Sequence, residues 1–133
     1  MDNCIFCKII AGEIPCYKVY EDEFVLAFFD IYPAAEYHTL VIPKAHFVNM
    51  FDVPEEESAH IMRAIKKIVK LYEDKLGLKN LQVLCSSGTE AQQEIMHLHY
   101  HIVPRALGDG QNVKWATHPE WEDRFSELLE KLR

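Results

Sequence analysis

Apolar and polar positions alternate along this chain with two periods, and the switches between them mark the elements. Cys4, Ile5, Phe6, Cys7, Ile9 and Ile10 ahead of Gly12 predict one or two helical turns closed by a glycine, with Cys4 and Cys7 on one face. Period-two stretches predict strands at residues 17–20 and 24–29 around the acidic turn Glu21-Asp22-Glu23, a third at 38–42 ended by Pro43, and a fourth at 81–85. Between the third and fourth, Ile61, Ile65, Ile68, Val69, Tyr72 and Leu76 recur at helical spacing. They predict a helix from about Pro54, at its first position, to Leu76, with Glu55, Glu56 and Glu57 at its positive end and Gly77 stopping it. His60 falls on its solvent side.

The fifth predicted strand is the stretch from His97 to Val103. Its alternation sends Leu98, Tyr100 and Ile102 into a core and sets His97, His99 and His101 in one row on the opposite face, until Pro104 ends the run. After the turn Gly108-Asp109-Gly110, Thr117 and Glu120 have capping-box spacing, and Trp121, Phe125, Leu128, Leu129 and Leu132 form one apolar stripe. That C-terminal helix is expected to dock either on its own sheet or on a second subunit.

Composition narrows the class. A chain of 133 residues, 49% apolar and 26% charged, is expected to form one domain with a real core, and no apolar run reaches the length of a membrane span. The N-terminus lacks a signal peptide's basic start, so a cytoplasmic protein is expected. A net charge of −7 argues against binding nucleic-acid polymers or anionic membranes, since no basic surplus exists to replace counterions. It leaves a single nucleotide open, because a few local donors hold a small phosphate whatever the global charge. Four cysteines in such a chain read as thiols or ligands rather than disulfides.

Three histidines in strict alternation gain nothing for packing that Thr or Val would not supply better. Two chemistries remain: a metal site, since His-x-His can give two ligands, or a nucleophilic imidazole. An imidazole is uncharged near neutral pH and so approaches an anionic phosphate without full charge repulsion. Asp30 stops the second strand beside the turn Ile31-Tyr32-Pro33 and by itself reads as a turn former. His38 shares an otherwise apolar face with Leu40 and Ile42, where a hydrogen-bonded core histidine is the default. His46 lies past a strand end where a ligand could reach out. Cys4 and Cys7 by themselves read as buried thiols, a redox pair or half of a metal site; no strand precedes them, as a redox pair would want.

His97-Leu98-His99-Tyr100-His101-Ile102-Val103 followed by Pro104-Arg105 resembles the defining motif of the histidine triad family of nucleotide-binding hydrolases and transferases. Cys4 to Ile10, Phe28-Phe29-Asp30-Ile31-Tyr32-Pro33 and His38 to His46 resemble family blocks in the family's order, so the likeness covers about residues 1–105. The remainder, 106–133, resembles the C-terminal extension of the small bacterial members. The resemblance implies an α+β fold, a five-stranded antiparallel sheet with one long helix and a C-terminal helix, paired as a two-fold homodimer with sheets joined edge to edge. It implies His99 as the nucleophile at the α-phosphorus, His101 as a phosphate contact, and His97 and His38 as groups that orient the array. It further implies nucleotide contacts from Phe28, Asp30, Ile31, Ser86, Gly88 and Gln93, with Asp30 on the ribose and Gln93 on phosphate. A structural zinc would be held by Cys4, Cys7, His46 and His97. The implied substrate is a purine nucleotide or nucleoside phosphoramidate; a dinucleoside polyphosphate hydrolase and a nucleotide-binding or scaffolding module with negligible turnover are the alternatives. Ser86, Gln92 and Glu94 depart from residues common in the family, Asn, Gly and Ser respectively, which bears on substrate preference.

Overall fold

The computed structural model describes residues 3–133. Five antiparallel strands, β1 (Lys18–Glu21), β2 (Val25–Phe29), β3 (Thr39–Pro43), β4 (Leu81–Leu84) and β5 (Tyr100–Pro104), form one sheet in the order β1-β2-β3-β5-β4. The fold is the expected α+β arrangement. One face carries the long helix α2 (Glu55–Leu76), and the other carries the short helix α1 (Ile5–Ile10).

Strand alternation divides the core between these faces. Val25 and Ala27 of β2, Val41 of β3 and Ile102 of β5 pack with Ile61, Ala64, Ile65, Ile68 and Tyr72 of α2. Leu26, Phe28, Leu40 and Ile42, pointing the other way, pack with Phe6 of α1. Because both faces are covered, β2 is apolar throughout and β3 is apolar from Leu40 onward. The helix α2 begins one residue later than its pattern predicts, with Pro54 as the extended residue before the first turn, and closes at Gly77, whose φ of 67° favours glycine. No described helix is long and apolar enough to cross a membrane.

Three sequence expectations need correction. His97 and His99 precede β5 rather than lying in it. Beyond Val41↔Tyr100 the register would set Leu98 against Pro43, which has no amide hydrogen, and the Leu98 N–H donates instead to the Phe47 carbonyl at 2.7 Å. The alternation persists without the ladder: Leu98 and Tyr100 still face α2, while His97 and His99 contact Phe6 on the α1 side. His60 is half-buried, its ring stacked on Phe24 with centroids 3.8 Å apart. The C-terminal helix is shorter than its stripe suggests. His118, not Thr117, precedes a 3₁₀ turn at Pro119–Arg124, no side chain caps it, and α3 (Phe125–Glu130) follows. Every residue from 111 to 133 is exposed, so the stripe does not dock on the chain's own sheet.

Candidate active site and metal-ligating cluster

The histidines converge because three elements end at one corner of the α1 face. Leu40 and His101 are cross-strand neighbours, and His38 immediately precedes β3, so His38 and His101 meet with Nε2 and Nδ1 2.9 Å apart. The His99 ring lies 5.2 Å from that of His101 and 5.2 Å, edge on, from Phe6. His97, fully buried, continues the row towards α1.

Backbone groups assign a tautomer to each neutral ring. His97 Nε2–H donates to the Pro43 carbonyl at 2.9 Å, which leaves Nδ1 with its lone pair. His99 Nδ1–H donates to the His97 carbonyl at 2.7 Å, which leaves Nε2 free. The Ala34 N–H donates to His38 Nδ1 at 2.9 Å, so the His38 proton sits on Nε2 and is given to His101 Nδ1. The His101 proton therefore lies on Nε2. Two adjacent imidazoles are thus polarised oppositely: His99 offers a lone pair and His101 a hydrogen-bond donor. Burial, reinforced by His99 and His38, pushes His101 down to about 4, and burial lowers His38 against the opposing pull of Asp30. Both are neutral at neutral pH.

These rings open into a cleft of about 490 Å³, a size typical of small-ligand sites. Ile5, Phe6 and Ile9 of α1 line it with Phe28 and Leu40, Asp30, Ile31 and Tyr32 follow from the end of β2, and Gln92, Glu94 and Ile95 line it from the segment that enters the histidines. Asp30 Oδ1 accepts the Tyr32 N–H at 2.8 Å, while Oδ2 lies 3.6 Å from His38 Nε2 and can accept a ligand hydroxyl. Phe28, Asp30, Ile31, His38, His99 and His101 therefore share the cleft.

Ser86, Gly88 and Gln93, which the motif implied as nucleotide contacts, are not among the residues that line it. The Gln93 side chain is buried, and its amide is fully used within the protein. Its Oε1 accepts from Gly88 N at 2.8 Å and Asn49 Nδ2 at 3.1 Å; its Nε2 donates to the carbonyls of Val48 and Ile95 at 2.6 and 3.0 Å. It ties the loops around 48 and 88 to the segment entering the histidines, and nothing remains to meet a phosphate. The neighbours Gln92 and Glu94 line the cleft instead. Ile14, Cys16 and Tyr17 also line it; Ile14 and Cys16 carry no periodic signal from which sequence could have found them, and the period-two pattern marks Tyr17 only as the start of a strand.

A second cluster lies behind the histidine row. Cys4, Cys7, His46 and His97 bring their ligand atoms within 4.8 Å of one another. Sγ of Cys4 and Nδ1 of His97 are 3.4 Å apart, Sγ of Cys7 and Nδ1 of His46 3.3 Å, and the two Nδ1 atoms 3.1 Å. A tetrahedral ion with ordinary thiolate and imidazole bond lengths sets its ligand atoms ~3.3–3.8 Å apart; these sulfur–nitrogen spacings fall in that range and the two nitrogens sit slightly closer, so the donor set fits such an ion with a small outward shift of the imidazoles. His97 Nδ1 is also the nitrogen left bare by the bond to Pro43. Burial, with Cys4 alongside, pushes the Cys7 thiol up to about 11, so it keeps its proton at neutral pH until a cation displaces it.

The HIT domain pattern matches residues 11–107. The chain belongs to the HIT family. Among HIT relatives, an adenosine 5′-monophosphoramidase of Schizosaccharomyces pombe is 38% identical over 131 residues, covering 98% of this chain and 96% of the relative. The crystal structure of a HIT family member from Bacillus subtilis superposes with a TM-score of 0.84 at 44% identity, covering 97% of this chain and 96% of that one. A zinc-bound histidine triad family protein from Mycobacterium smegmatis superposes with a TM-score of 0.78 at 31% identity, covering 99% of each chain. In this HIT chain, Phe6 touches the rings of both His97 and His99, so the metal-ligating cluster and the cleft share a wall.

Proposed function

We propose that the chain is a nucleotide hydrolase or transferase acting at the α-phosphorus of adenosine phosphoramidates. The observation that carries this reading is the opposed pair of tautomers, His99 with a bare Nε2 beside His101 with an Nε2–H, in a cleft that has an apolar wall for a base and a carboxylate for a ribose. His99 Nε2 attacks phosphorus, the P–N bond breaks, and the departing nitrogen takes up one proton to leave as an amine. His101 Nε2–H steadies a phosphoryl oxygen. Water then attacks the nucleotidyl-histidine, releasing adenosine monophosphate, restoring His99 and returning one proton. His38 orients His101, and Asp30 Oδ2 binds the ribose. The name of the Schizosaccharomyces relative favours this substrate class.

In the same reading Cys4, Cys7, His46 and His97 hold a structural zinc, which fixes the end of the histidine segment; the zinc-bound Mycobacterium structure supports the choice of metal. Two copies pair, and the exposed stripe of Trp121, Phe125, Leu128, Leu129 and Leu132 gives such pairing an apolar surface. Light scattering should show a dimer, and a monomer at micromolar concentration would remove that part of the reading.

The decisive assay is turnover of a fluorogenic adenosine phosphoramidate, with His99→Ala beside the unaltered chain. His99→Ala should lose on the order of a thousandfold or more in kcat while still binding adenosine monophosphate. Two in-line displacements should retain configuration at a chiral thiophosphate. Inversion, or full activity in His99→Ala, would exclude the imidazole nucleophile; saturable binding without turnover would favour a binding module.

A further inference from the structure

The charges around the cleft are one-sided. Two carboxylates, Asp30 and Glu94, line it, and none of the described residues lining it is Lys or Arg. Its partly buried histidines His38 and His101 supply no fixed positive charge, since burial keeps them neutral. Asp30 is engaged by the Tyr32 amide and lies near His38. None of the ion pairs among the described residues involves Glu94.

Glu94 is exposed, yet its backbone is firmly held. On one side Gln93 is tied by its four side-chain hydrogen bonds, and on the other Ile95 packs on the apolar cluster of Phe6 and Phe28. The segment carrying Glu94 then runs directly into His97 and His99. Glu94 and His99 line the same cleft, so a substrate whose phosphorus meets His99 brings its leaving group into a space that Glu94 also lines.

We propose that Glu94 makes this site select substrates by the charge of the leaving group, favouring phosphoramidates whose departing amine bears a cation and disfavouring those that bring further phosphates or carboxylates. The inference rests on the hydrolase reading above. Its physical basis is that the Glu94 carboxylate attracts an ammonium, while each added anion meets Glu94 and finds no basic side chain among the described lining residues to offset it. Polyphosphate-linked dinucleotides are the poorest fit on this ground.

The test uses three adenosine phosphoramidates of matched size, with leaving amines that carry an ammonium, a neutral amide or a carboxylate. At low ionic strength kcat/KM should fall in that order, over a range on the order of tenfold or more, and the range should narrow with added salt. Glu94→Gln should bring the three within about twofold of one another, and Glu94→Lys should reverse the order. Equal kcat/KM for the three in the unaltered chain, or its ordering retained in Glu94→Gln, overturns the proposal and leaves the hydrolase reading standing. Failure to hydrolyse any of the three while adenosine monophosphate still binds overturns the hydrolase reading, and the proposal with it.

Discussion

His101 sits between two other imidazoles in a site that disfavours charge, and its proton equilibrium follows from that place. With His101 pushed down to about 4 and His38 also lowered, both rings protonate more readily in the unfolded chain, where histidines titrate near ~6.5. The unfolded state therefore binds more protons below that pH. The stabilisation from keeping these rings neutral is complete above about pH 6.5 and is lost as pH falls towards about 4. Thermal unfolding followed from pH 7.5 to 4 should show a falling midpoint, and His101→Asn should flatten the slope; an unchanged slope in that variant would assign the acid sensitivity elsewhere. Gln93 makes a second argument at this scale. Gln93→Ala leaves the Gly88 N–H and two carbonyls without their partner, so it should cost about 2–4 kcal/mol in denaturant unfolding. Because Gln93 does not line the cleft, the affinity of the folded variant for adenosine monophosphate should hardly change. A selective loss of affinity with stability intact would instead return Gln93 to the phosphate.

Among the elements, the loop from Gly88 to Ile95 carries backbone strain. Gln92 has φ 73°, a left-handed conformation that costs a residue with a Cβ about 1 kcal/mol. Gln92→Gly should therefore stabilise the fold by up to about 1 kcal/mol, and Gln92→Val should destabilise it, because a branched Cβ suits that region worst. A Gly variant less stable than Val would deny the strain. This loop also marks where sequence stops being informative. The strands and α2 were legible because Ile61, Ile65 and Ile68, or Leu40 and Ile42, repeat with the period of their element, and periodicity survives translation into burial. The row of His97, His99 and His101 was legible for the same reason, even though only His101 lies in β5. The ladder's early end was hidden because it depends on which residue Pro43 comes to oppose. The contacts of Gln93 were hidden likewise: an amide's partners at Val48, Asn49 and Gly88 come from two stretches of chain that only the fold brings to it.

Over the whole molecule, the cluster of Cys4, Cys7, His46 and His97 joins the N-terminal segment to the chain just after β3 and just before β5. If it holds zinc as proposed, freshly purified protein should contain about one metal ion per chain, and chelation should lower the unfolding midpoint by about 10 °C. Replacing Cys4 and Cys7 together by Ser should give the same loss without chelator. A metal-free protein with an unchanged midpoint would reduce the cluster to packing. Phe6, between the two cysteines, adds something to this. Because α1 presents Phe6 to His99 and to the cleft while its flanking thiols reach the other cluster, whatever draws α1 against the sheet at one site prepares the other. Occupancies that share an element in this way are reciprocal: the factor by which metal tightens nucleotide is the factor by which nucleotide tightens metal. A nucleotide-saturated sample should then need proportionately more chelator to reach half depletion, and that ratio measures how rigidly six residues of helix transmit force between two sites.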